Sequence, residues 1–540
     1  MSPVGRIEGI ATAVLLGLGL SACSSADRGR TSDASPPSSA EASIASSVSL
    51  DPELDRIMRQ RWDAAGITPA PVADDPTFLR RVTLDLAGRI PTPREVLAFE
   101  DDVRPDKRRH VVQRLLHSDD YAEHFSERYA DVLIEGSLAQ KRPRLHESTR
   151  RWLAEQFAEG RGWDEMTHSL LTVEGAHDEA GPAGFLVSHG RHNRVEAVTA
   201  ATSRVFLGVH LECAQCHDHP TDDRYAQEDF YGMAAYFART KVRLKKHRPN
   251  IVDRPRGEMR MPTAEDAPGS RSGPRVAPKF LGRTISIEDD QSRREALADA
   301  IVESNLFAKA MVNRTWASLM GRGLVDPWDE LGGEDDPSHP PLLEHLASVF
   351  VRSGYDHRAL IETIVLSDAY QRSSAAPFPD DAGARVAAFA QAPVRPMSAE
   401  QLFRSLMMAT GVDNVRGRQF KRLVDQRRRQ ALREYQFTFA DDEMGAADAF
   451  SESVPQALLL LNGALTVRGS SASLDGTRVD RILEANETSS ARLDALFVAV
   501  YGRHPSPTEQ SQFGDVVRTP GDFEDLMHAM LLSSEFTTIH

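Results

Sequence analysis

Only three of the chain's 540 residues are cysteines, and two of them, Cys213 and Cys216, stand three apart. That number excludes a disulfide framework, so the fold must be held by buried apolar faces. A chain of this length is too long for one compact core, and two or three domains are expected. Its formal net charge of −15 argues against a nucleic-acid partner. The same charge argues against a surface held on anionic lipid by basic residues.

The third cysteine belongs to the N-terminus. Ile10 to Leu20 is an apolar stretch of signal-peptide length behind Arg6, too short to span a membrane as a mature helix. It ends in Leu20-Ser21-Ala22-Cys23, which resembles the lipobox of bacterial lipoproteins, in which the cysteine is acylated. Residues 1–23 are thus expected to be a lipoprotein signal, with Cys23 as the lipid attachment point. Residues 24–49, rich in Ser, Ala, Pro and Asp, are expected to be a flexible tether. The chain is therefore expected outside the cytoplasm, lipid-anchored to the cell envelope on its periplasmic face or at the outer membrane.

Beyond the tether, apolar residues recur at helical spacing almost throughout. Leu54, Ile57, Met58 and Trp62 share one face. A helix over 78–86 is expected to end at Gly88. Thr92, with Glu95 three residues on, is the signature of a capping box. Helices are further expected over 107–116, 121–133, 150–157, 163–171, 191–211 and 229–237. From 241 to 290 the texture turns to Pro, Gly and charge, with short extended pieces at Val276–Phe280 and Thr284–Ile287. Helical periodicity resumes over 292–320, 342–350, 360–366, 398–410, 416–434, 456–461, 492–501 and 523–532. The fold class is mainly α: two helical domains, 50–240 and 291–540, joined by an irregular Pro/Gly-rich segment, 241–290, with a few short strands.

The chemistry gathers at Leu211-Glu-Cys-Ala-Gln-Cys-His-Asp-His-Pro220. Cys-x-x-Cys-His is the attachment signature of c-type haem: two thiols for the two vinyl groups, and a histidine as proximal iron ligand. Export meets the condition for that attachment. Cys213, Cys216 and His217 are then the cofactor-binding residues. Met233 and His210 are the sixth-ligand candidates closest in sequence, with Met259, Met261, His189 and His192 further off. Asp218 and His219 are placed to orient His217 or to contact a propionate. A second reading stays open, in which His210, Cys213, Cys216, His217 and His219 supply a compressed tetrahedral zinc site; copper or iron would suit the same donors. A third is a plain disulfide or redox-active dithiol.

Other signals are weaker. The acidic turn Asp326, Asp329, Glu330, Glu334, Asp335 and Asp336 lacks EF-hand spacing and reads as solvated rather than as a Ca²⁺ loop. The basic runs Lys241–Arg248 and Lys421–Arg433 read as solvated faces. Asn313, Arg314 and Trp316 are candidates to line a site in the second domain or to form a buried pair there. No nucleophile elbow, phosphate-binding glycine loop or His-Glu-x-x-His pattern occurs, and no reaction is assigned.

Longer matches carry a family resemblance. Val82-Thr-Leu-Asp-Leu-Ala-Gly-Arg-Ile-Pro-Thr-Pro93, Cys213–Pro220 and Asp229–Phe237 lie in the first half. Ala310–Trp316, Gly321–Val325, Pro337–Pro340, Val454–Leu458 and Ser533–Phe536 lie in the second. Together they resemble the two-domain envelope proteins of planctomycetes, in which a planctomycete cytochrome-type domain of unknown function precedes a PSD-type domain. Thr221-Asp222 departs from the aromatic-Asp common there. The resemblance covers nearly all of the chain after residue 51 and implies cytochrome-like character without a settled reaction. The expected role is electron transfer at the envelope or service to a redox partner protein, with haem c bound and the second domain acting as a docking or substrate module. The alternative is a non-haem envelope scaffold or carbohydrate-associated protein with structural zinc.

Overall fold

The computed structural model describes residues 50–134, 142–190, 194–218, 224–245, 248–262, 272–331, 338–375, 381–412 and 454–540. The signal, tether, Cys23, His192, His219 and the run 421–433 lie outside them. The architecture is mainly helical with a few small antiparallel sheets, as the periodicity predicts. No helix among the described residues is long and apolar enough to cross a membrane.

The described chain packs into two compact units, and each is assembled from separated stretches. One is built from 66–115 and 371–540, the other from 50–65 and 116–370. This division differs from the consecutive division that sequence texture suggests.

The second unit is centred on the helices Asp119–Leu133, Pro143–Glu159, Trp163–Thr172, Asn305–Met320 and His357–Val365. In Asp119–Leu133 the buried positions Tyr121, Ala122, Phe125, Tyr129 and Leu133 recur at helical spacing. They face an aromatic core of Phe157, Trp163 and His357, with Tyr121 and Phe125 centroids 4.9 Å apart. Its sheet has the order β1 (Gly175–Ala176), β3 (Arg248–Asp253), β2 (Thr240–Lys245), with Val242 opposite Ile251. Val242 and Leu244 press onto Leu145, Ala180 and Val187. Arg294, buried, pairs with Asp253 at 3.0 Å and donates to the Leu171 and Val173 carbonyls. The described residues of the basic run, 241–245 and Arg248, thus lie on β2 and β3. Strands β2 and β3, with β4 (Met259–Arg260) and β5 (Arg275–Val276), which pair with each other, lie in the Pro/Gly-rich segment or at its edge. Of the pieces expected to be extended, Val276 falls in β5 and Phe280 forms an isolated bridge with Arg283, while Thr284–Ile287 forms no strand.

The first unit has its own core, from Leu84 and Ile90 through Phe403, Phe497 and Phe523 to Ile539. It also contains one turn twice. Gly88-Arg-Ile-Pro-Thr-Pro-Arg-Glu95 follows the helix Asp75–Ala87, and Gly502-Arg-His-Pro-Ser-Pro-Thr-Glu509 follows the helix Ser489–Val500. Each glycine is left-handed, at φ 65° and 74°. Each arginine forks onto the glutamate at the third position of the next helix: Arg89 onto Glu95 at 2.8 and 3.2 Å, Arg503 onto Glu509 at 2.8 and 2.8 Å. Thr92 and Ser506 close capping boxes, each with proline at the helix start. A Cβ on Gly502 would stand 3.2 Å from Pro91, so the two turns abut.

Candidate functional site

The cysteine motif is reached through an irregular descent. The helix Val195–Thr202 widens into a π turn, Ser203–Leu207, and stops at Gly208 with φ 63°. The continuous helix expected over 191–211 is therefore broken. Glycine is required because a Cβ at 208 would meet Leu331 at 2.9 Å, while the Gly208 carbonyl accepts from the Leu331 N–H at 2.7 Å. A short 3₁₀ turn, Leu211–Gln215, then carries the motif.

That turn is anchored on one side and open on the other. Leu211 and Ala214 are fully buried, while Cys213, Cys216, His217 and Asp218 are exposed. Both thiols are free. The Gln215 carbonyl accepts from Gln227 Nε2 at 3.1 Å and from the Tyr231 hydroxyl at 3.3 Å. Asp218 Oδ1 accepts from the Gln227 N–H at 2.9 Å, at the start of the helix Gln227–Ala234. His217 Nδ1 lies 2.6 Å from the Asp218 carbonyl. A carbonyl only accepts, so this contact assigns the proton to Nδ1 and leaves the lone pair on Nε2. These are the attributes a covalently attached haem needs: two accessible free thiols and an imidazole oriented by an acceptor behind it. Asp218 meets His217 through its backbone carbonyl, while its carboxylate is used on the helix start.

The remaining sequence candidates part company here. His210 faces carboxylates with both ring nitrogens, Nδ1 at 3.1 Å from Glu212 and Nε2 at 3.2 Å from Asp329. The hydrogen bonds to Asp329 and Glu212 raise its pKa to about 10, against some desolvation. Burial works to raise the pKa of Asp329, but the His210 hydrogen bond together with the charges of His210, Arg204 and Arg314 outweighs it, and the net direction is down. His210 is therefore an imidazolium with its nitrogens committed. Met233 is fully buried, two positions from the motif-facing Tyr231, hence on the far side of its helix. His189 Nε2 lies 3.1 Å from the Leu133 carbonyl, and Met259 is buried. Among the described residues no three His, Cys, Asp or Glu side chains gather to hold a metal ion.

Sequence reading missed the network behind His210. Asn313, wholly buried, donates to the Val325 and Trp328 carbonyls at 2.8 and 2.9 Å, and accepts from the Leu324 and Val325 N–H groups at 2.7 and 3.0 Å. Arg314 donates to the Val205 carbonyl at 2.7 Å and lies 4.5 Å over the Trp328 ring. Burial lowers its pKa. The loop so held presents Asp329 to His210. Asp329 is thus a buried ion-pair partner, which corrects the solvated reading for that residue, while Glu330 is exposed and 334–336 lie outside the described residues. Asn313 and Arg314 are both buried and hold this loop.

Residues 53–242 match the PSCyt2 family and residues 293–517 match the PSD1 family, both described as proteins of unknown function, DUF1549 and DUF1553. No curated protein and no solved structure matches the chain. The His210 network draws on both matched stretches. An exposed Cys-x-x-Cys-His turn within the first match, and the second match following it in order, settle the affiliation: the chain belongs to the proteins in which a PSCyt2 domain, a planctomycete cytochrome-type domain of unknown function, precedes a PSD1 domain.

Proposed function

We propose that this protein binds haem c and serves electron transfer, or a redox partner protein, at the cell envelope, where acylated Cys23 holds it to the membrane. Cys213 and Cys216 hold the haem through thioether bonds, and His217 offers Nε2 to the iron. When bound, the haem supplies one-electron chemistry. The chain's own residues orient and restrain: the Asp218 carbonyl fixes the His217 tautomer, and buried Leu211 and Ala214 fix the turn. The observation that carries the reading is the pair of free, exposed thiols beside an imidazole whose Nδ1 is already hydrogen-bonded. The cytochrome-type character of the matched family supports it. The zinc reading loses one of its five donors, because His210 is engaged by Glu212 and Asp329.

The test is production of the full chain in an exporting host with haem-maturation machinery. A Soret band, and haem that stays with the polypeptide on a denaturing gel, are expected. Cys213→Ser with Cys216→Ser should abolish both. A colourless protein, with one equivalent of zinc or with none, would overturn the proposal.

A further inference from the structure

We infer that the cleft beside the second Gly-Arg turn binds a neutral saccharide. The cleft has a volume of about 650 Å³ and lies wholly within the unit of 66–115 and 371–540. That is the size of small-molecule sites, about 300–1,000 Å³. Of its lining residues only Pro76 has no polar side-chain group, so an apolar ligand would strand hydrogen-bonding groups.

The charges in the cleft are already engaged by the protein itself. Arg503 lies between Glu509 and Glu535, with contacts of 2.7 to 2.9 Å to each. His504 bridges Asp494 at 2.6 Å and Glu100 at 3.2 Å. Arg80, buried, gives its terminal nitrogens to the Val500, Glu535 and Phe536 carbonyls. An anion entering here meets Glu100, Glu509 and Glu535, while a cation meets Arg80 and Arg503. What fits is an uncharged molecule dense in groups that both donate and accept. Hydroxyls do so: the carboxylates, held by the network, keep lone pairs that accept from vicinal hydroxyls without reorganising, and Thr508 and Gln512 both donate and accept. With Pro76 as its one wholly apolar lining side chain, the cleft offers little to anchor a peptide's apolar side chains, and a peptide is the poorer fit.

The duplicated turn supplies an internal control. Both copies carry the clamp, the capping box and the left-handed glycine, so none of these requires a cleft. Yet where the first copy has Ala87, Ile90, Arg94 and Ala98, the second has Tyr501, His504, Thr508 and Gln512, all four lining the cleft. The turn does not need those polar groups; a ligand does. The cleft shares no residue with Cys213, Cys216 or His217, so the inference stands or falls apart from the haem proposal.

The experiment is binding of the full chain to an immobilised panel of neutral gluco-, galacto- and manno-oligosaccharides, with sulfated and uronate-containing counterparts. Binding within the neutral set is expected. Thr508→Arg and Gln512→Ala, which install the residues of the first copy, should each weaken it at least ten-fold with the thermal melt unchanged. Arg94→Thr, in the first copy, should leave binding as it was. Failure to bind any neutral member, preference for the sulfated or uronate members, or binding indifferent to both cleft variants would each overturn the inference.

Discussion

Asn313 is a single amide whose four hydrogen bonds hold one loop, and that loop brings Asp329 to His210. Asn313→Ala orphans two N–H groups and two carbonyls in a dry environment. It is expected to lower stability by about 4 kcal/mol, since each buried orphan costs about 1 kcal/mol or more; the urea midpoint would report this. His357 makes a second prediction. Burial pushes its pKa down to about 3, with the Tyr121 and Tyr129 hydroxyls at 2.9 and 3.4 Å from its ring nitrogens. The depressed value means that the unfolded chain takes up a proton below pH 6.5 while the folded chain does not. The resulting stability is therefore complete above pH 6.5 and is lost as pH falls toward 3. Between pH 6.5 and 5 the loss is about 2 kcal/mol. His357→Phe should flatten that part of the pH profile, and an identical slope in both proteins would refute the assignment. Residue types such as these were visible in the sequence. Their partners were not, because Asn313 and Asp329, or Tyr121 and His357, meet only once distant helices pack.

At the scale of elements, helices announced themselves where caps and periodicity agree. Thr92 with Glu95 opens a helix as read, and Gly88 closes the one before it. The repeated Gly-Arg turn escaped notice because its two copies are over four hundred residues apart. The break before the cysteine motif was hidden for another reason. Apolar periodicity runs on through 203–207, and only the contact of Gly208 with Leu331 explains the stop. Gly208→Ala isolates that contact. Its φ matches that of Gly66, at 63° and 65°, yet a Cβ at Gly66 would meet nothing within 4 Å. Both substitutions place alanine in the left-handed region, at about 1 kcal/mol each. Gly208→Ala must also displace Leu331, and a further loss of about 1–3 kcal/mol is expected, as for other overpacked sites. Equal denaturation midpoints for the two variants would show that the approach of the two loops is slack.

At the scale of the whole molecule, motifs follow one another along the chain while compaction does not. Each compact unit takes residues from both matched stretches: 66–115 belongs with 371–540, and 50–65 and 116–242 belong with 293–370. A fragment spanning only 50–242 would lack Met311, Trp316, Phe350 and His357, all buried in the intact unit. It would expose the faces of Asp119–Leu133 and Pro143–Glu159 that pack against them. Arg294 would no longer bind the Leu171 and Val173 carbonyls, nor Arg314 that of Val205. Apolar burial is the main favourable term in folding, and folded domains keep only about 5–15 kcal/mol of net stability. Losing several wholly buried side chains, each worth about 1.5–3 kcal/mol, exceeds that margin. The fragment 50–242 is therefore expected to show no cooperative melt and to bind a hydrophobic dye, whereas the full chain melts cooperatively. Calorimetry on both decides the matter: a sharp transition from the isolated fragment would mean that the PSCyt2 stretch is self-sufficient. Without one, the two matched stretches are best regarded as interdependent, and the cysteine turn as a site that only the joined chain can build.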